Sequence, residues 1–273
     1  MTLSLRESLS ASALPRLETH LLWRHVLGVP RAWLIAHDGD PLSPAQIVAY
    51  QALEARRMAG EPMAYILGHR EFFGRDFRVT PAVLIPRPET ELLVECGLRA
   101  IRDVRAPHVL DLGTGSGAVA VTLALERPDA RVRASDRSAG ALEVARKNAR
   151  DLGAKLWFSH GNWYDTELGS GRFDLIVSNP PYIDAQDAHL EQGDLRFEPP
   201  GALTDGADGL QALRDIVLGA PAHLTRDGIL CVEHGWDQAA AVRSLFLCRG
   251  FTDVASERDL SGIERITRGR FPA

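Results

Sequence analysis

The sequence contains few cysteines and no long apolar run, and both absences narrow the class of protein. Its 273 residues include three cysteines, Cys96, Cys231 and Cys248, whose spacing matches no metal-binding motif. An odd number of scattered cysteines predicts reduced, buried thiols in a cytosolic protein rather than a disulfide or zinc scaffold. No stretch is long and apolar enough to span a membrane, and charges at Arg6 and Glu7 leave no apolar signal core. We therefore expect a cytoplasmic protein without a membrane partner.

An excess of positive charge is also missing. The formal net charge is -5, from 31 Lys and Arg against 36 Asp and Glu. A protein that binds DNA or an anionic membrane needs a basic surface, so this balance argues mildly against both partners. The content of 45% hydrophobic and 25% charged residues is typical of a soluble globular protein. The length allows one large domain, or a large domain and a small one.

The first seventy residues carry helical patterns. Apolar residues recur at helical spacing over residues 17–26, and Ser43 followed by Pro44 is typical of a helix start. Acidic and basic residues are nearly balanced here, so the segment is not a basic nucleic-acid arm. It could be a structural lid or a dock for a macromolecular substrate, and its residues alone leave both interpretations open.

A change of pattern then divides the chain. Strand-like runs with a turn near Gly74 predict a β-hairpin linker over residues 71–86. The linker separates a helical domain, residues 1–70, from a larger domain, residues 87–273. A helix is expected to start near Glu89, just after two prolines.

Short apolar strands alternate with helical patterns after residue 105. The predicted strands are 108–112, 131–135, 155–159, 174–178 and 229–233, with helices such as 118–125 and 139–152 between them. This alternation predicts an α/β fold in which helices cover both faces of a parallel sheet. Two further strands, 251–256 and 264–270, follow without a helix between them, which predicts an antiparallel pair at one edge.

The first of these strands runs into a glycine-rich loop, Asp111-Leu112-Gly113-Thr114-Gly115-Ser116-Gly117. Glycines permit a tight turn and a close approach to a ligand, and open α/β sheets bind ligands at the carboxyl ends of strands. In a dinucleotide fingerprint the third glycine comes one residue later, and a diphosphate lies over the helix start. Asp111 would repel a diphosphate, whereas it suits a cofactor with a cationic sulfonium and ammonium. The loop therefore favours S-adenosylmethionine over a nicotinamide dinucleotide.

Two more residues stand at the ends of predicted strands. Asp136 ends the second strand, where a carboxylate can accept hydrogen bonds from both ribose hydroxyls. Trp163 follows the third strand and could stack on adenine, an interaction worth about 1–3 kcal/mol. A solvated acid at Asp136 and a core side chain at Trp163 are the alternatives that the local sequence leaves open.

The fourth strand is almost wholly apolar and leads into Asn179-Pro180-Pro181-Tyr182. Proline has no N–H group and biases the residue before it to an extended conformation. The loop therefore presents a rigid row of acceptors, the side-chain oxygen of Asn179 and the carbonyl of Pro180. A purely structural turn is the alternative, and the position in the same sheet as the Gly113 loop favours a functional one.

Such a row suits the methylation of a planar NH₂ group on an amide or a base. The lone pair of that nitrogen is delocalised, so the nitrogen is a poor nucleophile. Two acceptors that hold its N–H bonds orient it and favour the positive charge that grows on it during transfer. Tyr182 would provide a flat wall for the bound group. We therefore predict a methyltransferase whose catalytic residues are Asn179, Pro180, Pro181 and Tyr182.

Taken together, these residues resemble the HemK/PrmC family of protein-(glutamine-N5) methyltransferases, which act on peptide-chain release factors. The resemblance covers nearly the whole chain and is carried by segments 68–74, 85–91, 111–117, 179–182 and 196–199. It implies a helical N-terminal domain that docks the substrate, a hairpin linker and a class I S-adenosylmethionine-dependent methyltransferase domain with a Rossmann-like, seven-stranded sheet. The implied reaction is methylation of the glutamine in the Gly-Gly-Gln motif of class 1 release factors.

The same resemblance implies roles for individual residues. The cofactor would be bound by Gly113, Thr114, Gly115, Ser116, Gly117, Asp136, Trp163 and Asn179, and the glutamine by residues 179–182. No metal is implied. One departure concerns Asn162, which stands where an acid is usual in the family, so its part in cofactor binding is less secure than that of Asp136.

Three other functions were weighed against this one. A DNA adenine-N6 methyltransferase faces the same chemical problem, but residues 183–200 hold five acids against one base, Arg196, which is a poor neighbour for phosphates. A nicotinamide-dependent oxidoreductase is disfavoured by the glycine spacing and by the lack of a hydride-site His or Lys cluster. A binding module without catalysis is disfavoured because the loop at Asn179 is intact.

Overall fold

The computed structural model, which describes residues 3–167 and 171–272, divides the chain into units Met1–Gly68 and His69–Ala273. In the first unit the described helices are α1 (Leu5–Ala11), α2 (Arg16–Leu27), α3 (Arg31–Ala36), α4 (Pro44–Met58) and α5 (Met63–Leu67). The periodicity over residues 17–26 and the start signal at Ser43 are confirmed by α2 and α4. The Ser43 side chain accepts from the N–H of Gln46, and the Gln46 side chain accepts from the N–H of Ser43.

The small unit has its own core. Leu22 and Trp23 on α2 are fully buried, and the Trp23 ring stacks on Tyr50 of α4 at a centroid distance of 4.4 Å. The hydroxyl of Tyr50 donates to Glu54 (2.9 Å), which also accepts from Ser12. The unit is thus held together by apolar packing with a satisfied polar cluster at its edge.

A β-hairpin opens the larger unit. Strands β1 (His69–Phe72) and β2 (Arg75–Arg78) pair in antiparallel fashion around Phe73 and Gly74, both of which have positive φ. A two-residue turn with positive φ at both positions matches the twist of a hairpin.

Seven strands form the main sheet. They are β3 (His108–Leu112), β4 (Arg131–Asp136), β5 (Trp157–His160), β6 (Phe173–Ser178), β7 (Leu224–Glu233), β8 (Thr252–Arg258) and β9 (Glu264–Arg270). Their order is β5-β4-β3-β6-β7-β9-β8. Strands β3 to β7 pair in parallel, while β9 is antiparallel to both β7 and β8. The predicted alternation and the antiparallel edge pair are confirmed.

Helices cover both faces of this sheet. The described helices of the larger unit are α6 (Glu91–Ala100), α7 (Ala118–Glu126), α8 (Ala139–Leu152), α9 (Pro200–Leu203), α10 (Gln211–Gly219) and α11 (Ala239–Cys248). Successive residues of a strand point to opposite faces. Accordingly, Val109 packs with the cluster formed by α6, α7 and α8, and Leu110 packs with that of α10 and α11. This layered arrangement brings the carboxyl ends of β3 to β7 together at one edge.

Three sequence expectations need correction. Strand β7 begins at Leu224, not 229, because the polar run after it, with positive φ at Asp227, hides the start of the strand. Strand β5 begins at Trp157, not 155. All three cysteines are free thiols, but Cys248 is exposed at the end of α11, so the prediction of buried thiols fails there. Within the described residues no group of His, Cys, Asp and Glu could hold a metal ion, and no helix could cross a membrane.

Candidate active site

A cleft of about 300 Å³ lies at the carboxyl edge of the parallel strands. The predicted site residues that line it are Gly113, Thr114, Gly115, Ser116, Asp136, Trp163, Asn179 and Pro181. They lie at or just after the ends of β3, β4, β5 and β6, four strands that are neighbours in the sheet. Three predicted residues, Gly117, Pro180 and Tyr182, are not part of this lining.

The glycine loop after β3 forms one wall of the cleft. Gly113 has φ +71°, and a Cβ atom there would lie 3.2 Å from the Trp163 ring, so only glycine fits. Gly115 has φ +56° with open space where a side chain would be, and its N–H donates to Asp136 (2.9 Å). Gly117 serves a different purpose. A Cβ atom there would lie 3.1 Å from the side chain of Ala145 on α8, so glycine allows α7 and α8 to pack closely.

Two carboxylates face this cleft. Asp111 is only 1% exposed and accepts a hydrogen bond from the Thr114 hydroxyl (2.7 Å). The pKa of Asp111 is raised to about 7, mainly by burial and also by the nearby charge of Asp136, while the hydrogen bond from Thr114 opposes the rise. Asp136 is itself fixed by the N–H groups of Gly115 and Ser138 (2.9 and 2.8 Å).

These features fit S-adenosylmethionine. A cation in the cleft would relieve the burial of Asp111 and its repulsion by Asp136, whereas an anionic cofactor would aggravate both. The open space at Gly115 leaves room for a ligand against the backbone. Each oxygen of Asp136 has a lone pair to spare for a ribose hydroxyl.

Trp163 lines the cleft next to the glycine loop. Its φ of +47° places it in the left-handed region, and its ring lies against Gly113 while lining the cleft. It also packs on the core cluster around α10 and α11. The sequence left open whether Trp163 is a core side chain or a surface for adenine, and the structure is compatible with both, because the ring packs on the core and also lines the cleft. Asn162 also lines the cleft.

The loop after β6 carries Asn179. The Nδ2 group of Asn179 donates to the hydroxyl of Thr90 (3.0 Å), while its Oδ1 atom has no hydrogen-bond partner within the described residues. Tyr182 does not line the cleft, and its hydroxyl donates to Glu233 (3.2 Å). Burial raises the pKa of Tyr182 well above its ordinary value. The expected flat wall is therefore not supplied by Tyr182 in this arrangement.

Sequence reasoning missed the contacts that hold these residues in place. Thr90 accepts from Asn179 and Glu233 accepts from Tyr182, and each pair joins segments that are far apart in the chain. Glu198 is 3% exposed, accepts from the N–H of Ile85 (2.9 Å) and forms an ion pair with Arg87. Two features of the sequence could have indicated these contacts. One is the acid Glu233 at the end of the apolar strand β7, and the other is the joint occurrence of the distant segments 85–91 and 196–199.

Comparisons with known proteins agree with this geometry. Residues 4–68 match the family model of the PrmC N-terminal domain, and residues 88–195 match that of the methyltransferase small domain. In fold, the chain is similar to a methyltransferase from Pyrococcus furiosus, with a TM-score of 0.56, 18% identity, and coverage of 82% of this chain and 100% of that one. It is also similar to a T. thermophilus 16S rRNA methyltransferase in complex with AdoMet and guanosine, with a TM-score of 0.54, 21% identity, and coverage of 74% and 49%.

The sheet, its strand order and the matching family model make the larger unit a class I S-adenosylmethionine-dependent methyltransferase domain, and the protein is an enzyme that uses this cofactor. The release factor glutamine methyltransferase of Bordetella pertussis is 58% identical over 98% of this chain and 99% of its own length. Those of Burkholderia pseudomallei and Escherichia coli are 55% and 42% identical, over 97% and 98% of this chain and 95% and 97% of their own. The chain belongs to the release factor glutamine methyltransferase family.

Proposed function

We propose that this enzyme methylates the side-chain amide nitrogen, N5, of the glutamine in the Gly-Gly-Gln motif of class 1 peptide-chain release factors. The observation that carries the proposal is the arrangement of Asn179 in the cleft. Its NH₂ group is engaged by Thr90, which leaves Oδ1 to accept from an incoming NH₂ group. The names of the relatives support the class of substrate.

The chain's own residues solve the problem of an unreactive amide by holding it. A glutamine amide would donate one N–H to Oδ1 of Asn179 and the other to the carbonyl of Pro180. This pair of acceptors orients the nitrogen and stabilises positive charge as it grows there. The proton leaves to solvent once the new N–C bond exists, so a strong base is not needed.

We assign the cofactor to the other half of the cleft. Its sulfonium supplies an electrophilic methyl group. The backbone of Gly113, Thr114, Gly115 and Ser116 forms the surface against which it binds, with Gly117 acting through helix packing. Asp136 would bind the ribose and Trp163 the adenine, while Asp111 contributes negative charge.

A protein substrate is favoured over a nucleic acid by the surface beyond the Asn179 loop. Asp184, Asp187, Glu191 and Asp194 follow the loop, and phosphates would be repelled there. We infer that the enzyme has no direct nucleic-acid partner and acts in the cytoplasm, where release factors function. We also propose that the helical unit, assigned to residues 1–70 from the sequence, docks the substrate, and that residues 71–86 link it to a catalytic domain at 87–273.

The proposal is tested by incubating the enzyme with labelled S-adenosylmethionine and a class 1 release factor, in parallel with a copy whose Gly-Gly-Gln glutamine is replaced by alanine. We expect label in the first release factor only, located on the glutamine side chain by mass spectrometry. Equal labelling of both copies, or labelling of ribosomal RNA instead, would overturn the proposal.

The role of Asn179 is tested in the same assay. Asn179→Ala should lower kcat about 10²–10³-fold, by analogy with the loss of one positioned hydrogen-bonding group in other active sites. Gln192→Ala, which removes an exposed amide further along the chain, is the matched control and should keep full activity. A kcat of Asn179→Ala within twofold of wild type would contradict the mechanism.

A further inference from the structure

Two exposed residues from distant segments meet at the mouth of the cleft. Arg137 and Gly201 both line the cleft and are both exposed, so they stand where it opens to solvent. Nη2 of Arg137 donates to the carbonyl of Gly201 (3.0 Å), although the two residues are 64 positions apart in the chain. This contact, the Arg137–Gly201 bridge, lies next to Asp136, the residue that we assign to the ribose.

The lack of a side chain at Gly201 makes room for the bridge. A Cβ atom there would lie 2.3 Å from Nη2 of Arg137, far inside van der Waals contact. Gly201 lies within α9 and its φ is not in the left-handed region, so its backbone conformation does not itself require glycine. The guanidinium group of Arg137 therefore occupies a place that only glycine leaves open.

The backbone on both sides of the bridge is held by hydrogen bonds. Arg137 lies just before α8, and its carbonyl accepts from Nε2 of His160 at the end of β5 (2.9 Å). On the other side, the carbonyl of Leu203, at the end of α9, accepts from the N–H of Ile183 (3.0 Å). The part of the bridge that can move is therefore the Arg137 side chain, which is long and exposed.

The movement of such a side chain is fast. An exposed side chain changes rotamer within picoseconds to nanoseconds, so the bridge opens and closes many times during one binding event. Entry and departure of the cofactor then both scale with the fraction of time for which the bridge is open. One hydrogen bond of ordinary strength makes the closed form about threefold to tenfold more populated than the open form.

We propose that the Arg137–Gly201 bridge is a gate over the ribose half of the cleft, which slows the exchange of S-adenosylmethionine with solvent without setting its affinity. The bridge joins only atoms of the protein, so it opposes entry and departure alike. This inference rests on the proposed function, through the position given to the ribose at Asp136. Its consequence for the reaction is that a bound cofactor stays in place while a large protein substrate docks.

Two variants remove the bridge from opposite sides. Arg137→Ala deletes the donor, and Gly201→Ala adds a Cβ atom that displaces the flexible end of Arg137. Association of S-adenosylmethionine is followed by stopped-flow tryptophan fluorescence, and dissociation by chasing labelled cofactor with unlabelled cofactor. In each variant we expect both rates to rise about threefold to tenfold, with the equilibrium dissociation constant within about twofold of wild type.

A double variant and a distant arginine provide the controls. Arg137→Ala combined with Gly201→Ala should exchange cofactor no faster than either single variant, because both substitutions remove the same contact. Arg226→Ala removes an exposed arginine near the start of β7, away from the carboxyl edge, and should leave both rates unchanged. Wild-type rates in both single variants would refute the gate, whatever happens to Tm.

The two rates also separate a gate from a direct contact between Arg137 and the cofactor. If Arg137 bound the cofactor, Arg137→Ala would raise the dissociation rate and the equilibrium dissociation constant together, at a constant association rate. That result would overturn the proposal.

These measurements need no release factor, so the gate and the proposed function fail separately. If wild type labels the Gly-Gly-Gln glutamine but the exchange rates of both single variants match wild type, the gate is wrong and the function stands. If wild type does not label that glutamine, the proposed function fails, and the exchange rates still decide whether the gate exists.

Discussion

At the scale of single residues, Asp111 shows how the cleft is prepared for its cofactor. A carboxyl group whose pKa is raised in the folded protein favours protonation, so its burial costs stability as pH rises from about 4 towards 7. A cationic ligand recovers that cost by stabilising the ionised form. Binding of the cationic cofactor therefore offsets the free-energy cost of burying the ionised carboxyl group of Asp111.

A pH dependence of cofactor affinity follows. Because the ionised form binds a cation better, the dissociation constant should be about fivefold to tenfold larger at pH 6 than at pH 7.5, as expected for one linked proton with a pKa of about 7. Isothermal titration calorimetry checks this. Asp111→Asn should bind more weakly and without this slope, and an unchanged slope in that variant would place the titrating group elsewhere.

Among the predicted site residues, those that line the cleft lie where one strand and its loop carry the signal. The glycine loop, Asp136 and Asn179 each lie at or just beyond the end of a strand, and a parallel sheet brings such positions to one edge. The hydrogen bonds from Tyr182 to Glu233 and from Asn179 to Thr90 join distant segments. No pattern within one segment reports such contacts.

At the scale of elements, a helix is easiest to predict when its start is marked. Helix α8 has the side chain of Ser138 as its N-cap and was predicted over its full length. Helices α10 and α11 begin after Leu210 and Gln238 without a side-chain cap, and the sequence analysis located neither. Their positions are set by packing on the sheet, which local propensity does not encode.

The short helical turn that carries Thr90, Pro88–Thr90, depends on a single buried acid. Glu198 holds the preceding segment through the N–H of Ile85 and through Arg87, a contact across more than a hundred residues. This explains why motifs 85–91 and 196–199 occur together. One carries Thr90, which accepts from Asn179, and the other fixes the backbone just before Thr90.

Glu198→Ala should therefore lower both stability and activity. It leaves the N–H of Ile85 unpaired, and the free energy of unfolding measured with urea should fall by about 1–3 kcal/mol, the cost of such a buried group. Glu198→Gln keeps an acceptor for Ile85 and should lose less. Glu191→Ala, an exposed acid in the same region, should change the free energy of unfolding by less than about 0.5 kcal/mol. If Glu198→Ala lowered the free energy of unfolding no more than Glu191→Ala, the contact between segments 85–91 and 196–199 would not contribute to stability.

At the scale of the whole molecule, all residues of the candidate active site lie in the larger unit. The helical unit must therefore have a role other than methyl transfer itself. The cleft, both carboxylates and the Asn179 loop all belong to His69–Ala273. The helical unit has its own core, yet it exposes Leu17, Ile35 and Val48 by 68%, 65% and 65%. Exposed apolar side chains of this size are typical of surfaces that bind a partner when they form a patch.

The combined variant Leu17→Ser, Ile35→Ser, Val48→Ser distinguishes a dock from a lid. If the helical unit docks the release factor, KM for that protein should rise ~10-fold, about 1.4 kcal/mol of lost binding, because apolar area would no longer be buried there. The kcat at saturation and the affinity for S-adenosylmethionine should not change, since the cleft is untouched. Leu247→Ser, which alters a leucine that is 61% exposed on α11, is the matched control. An unchanged KM in the triple variant would refute docking through these residues, and a fall in kcat at constant KM would instead indicate a unit that closes over the reaction.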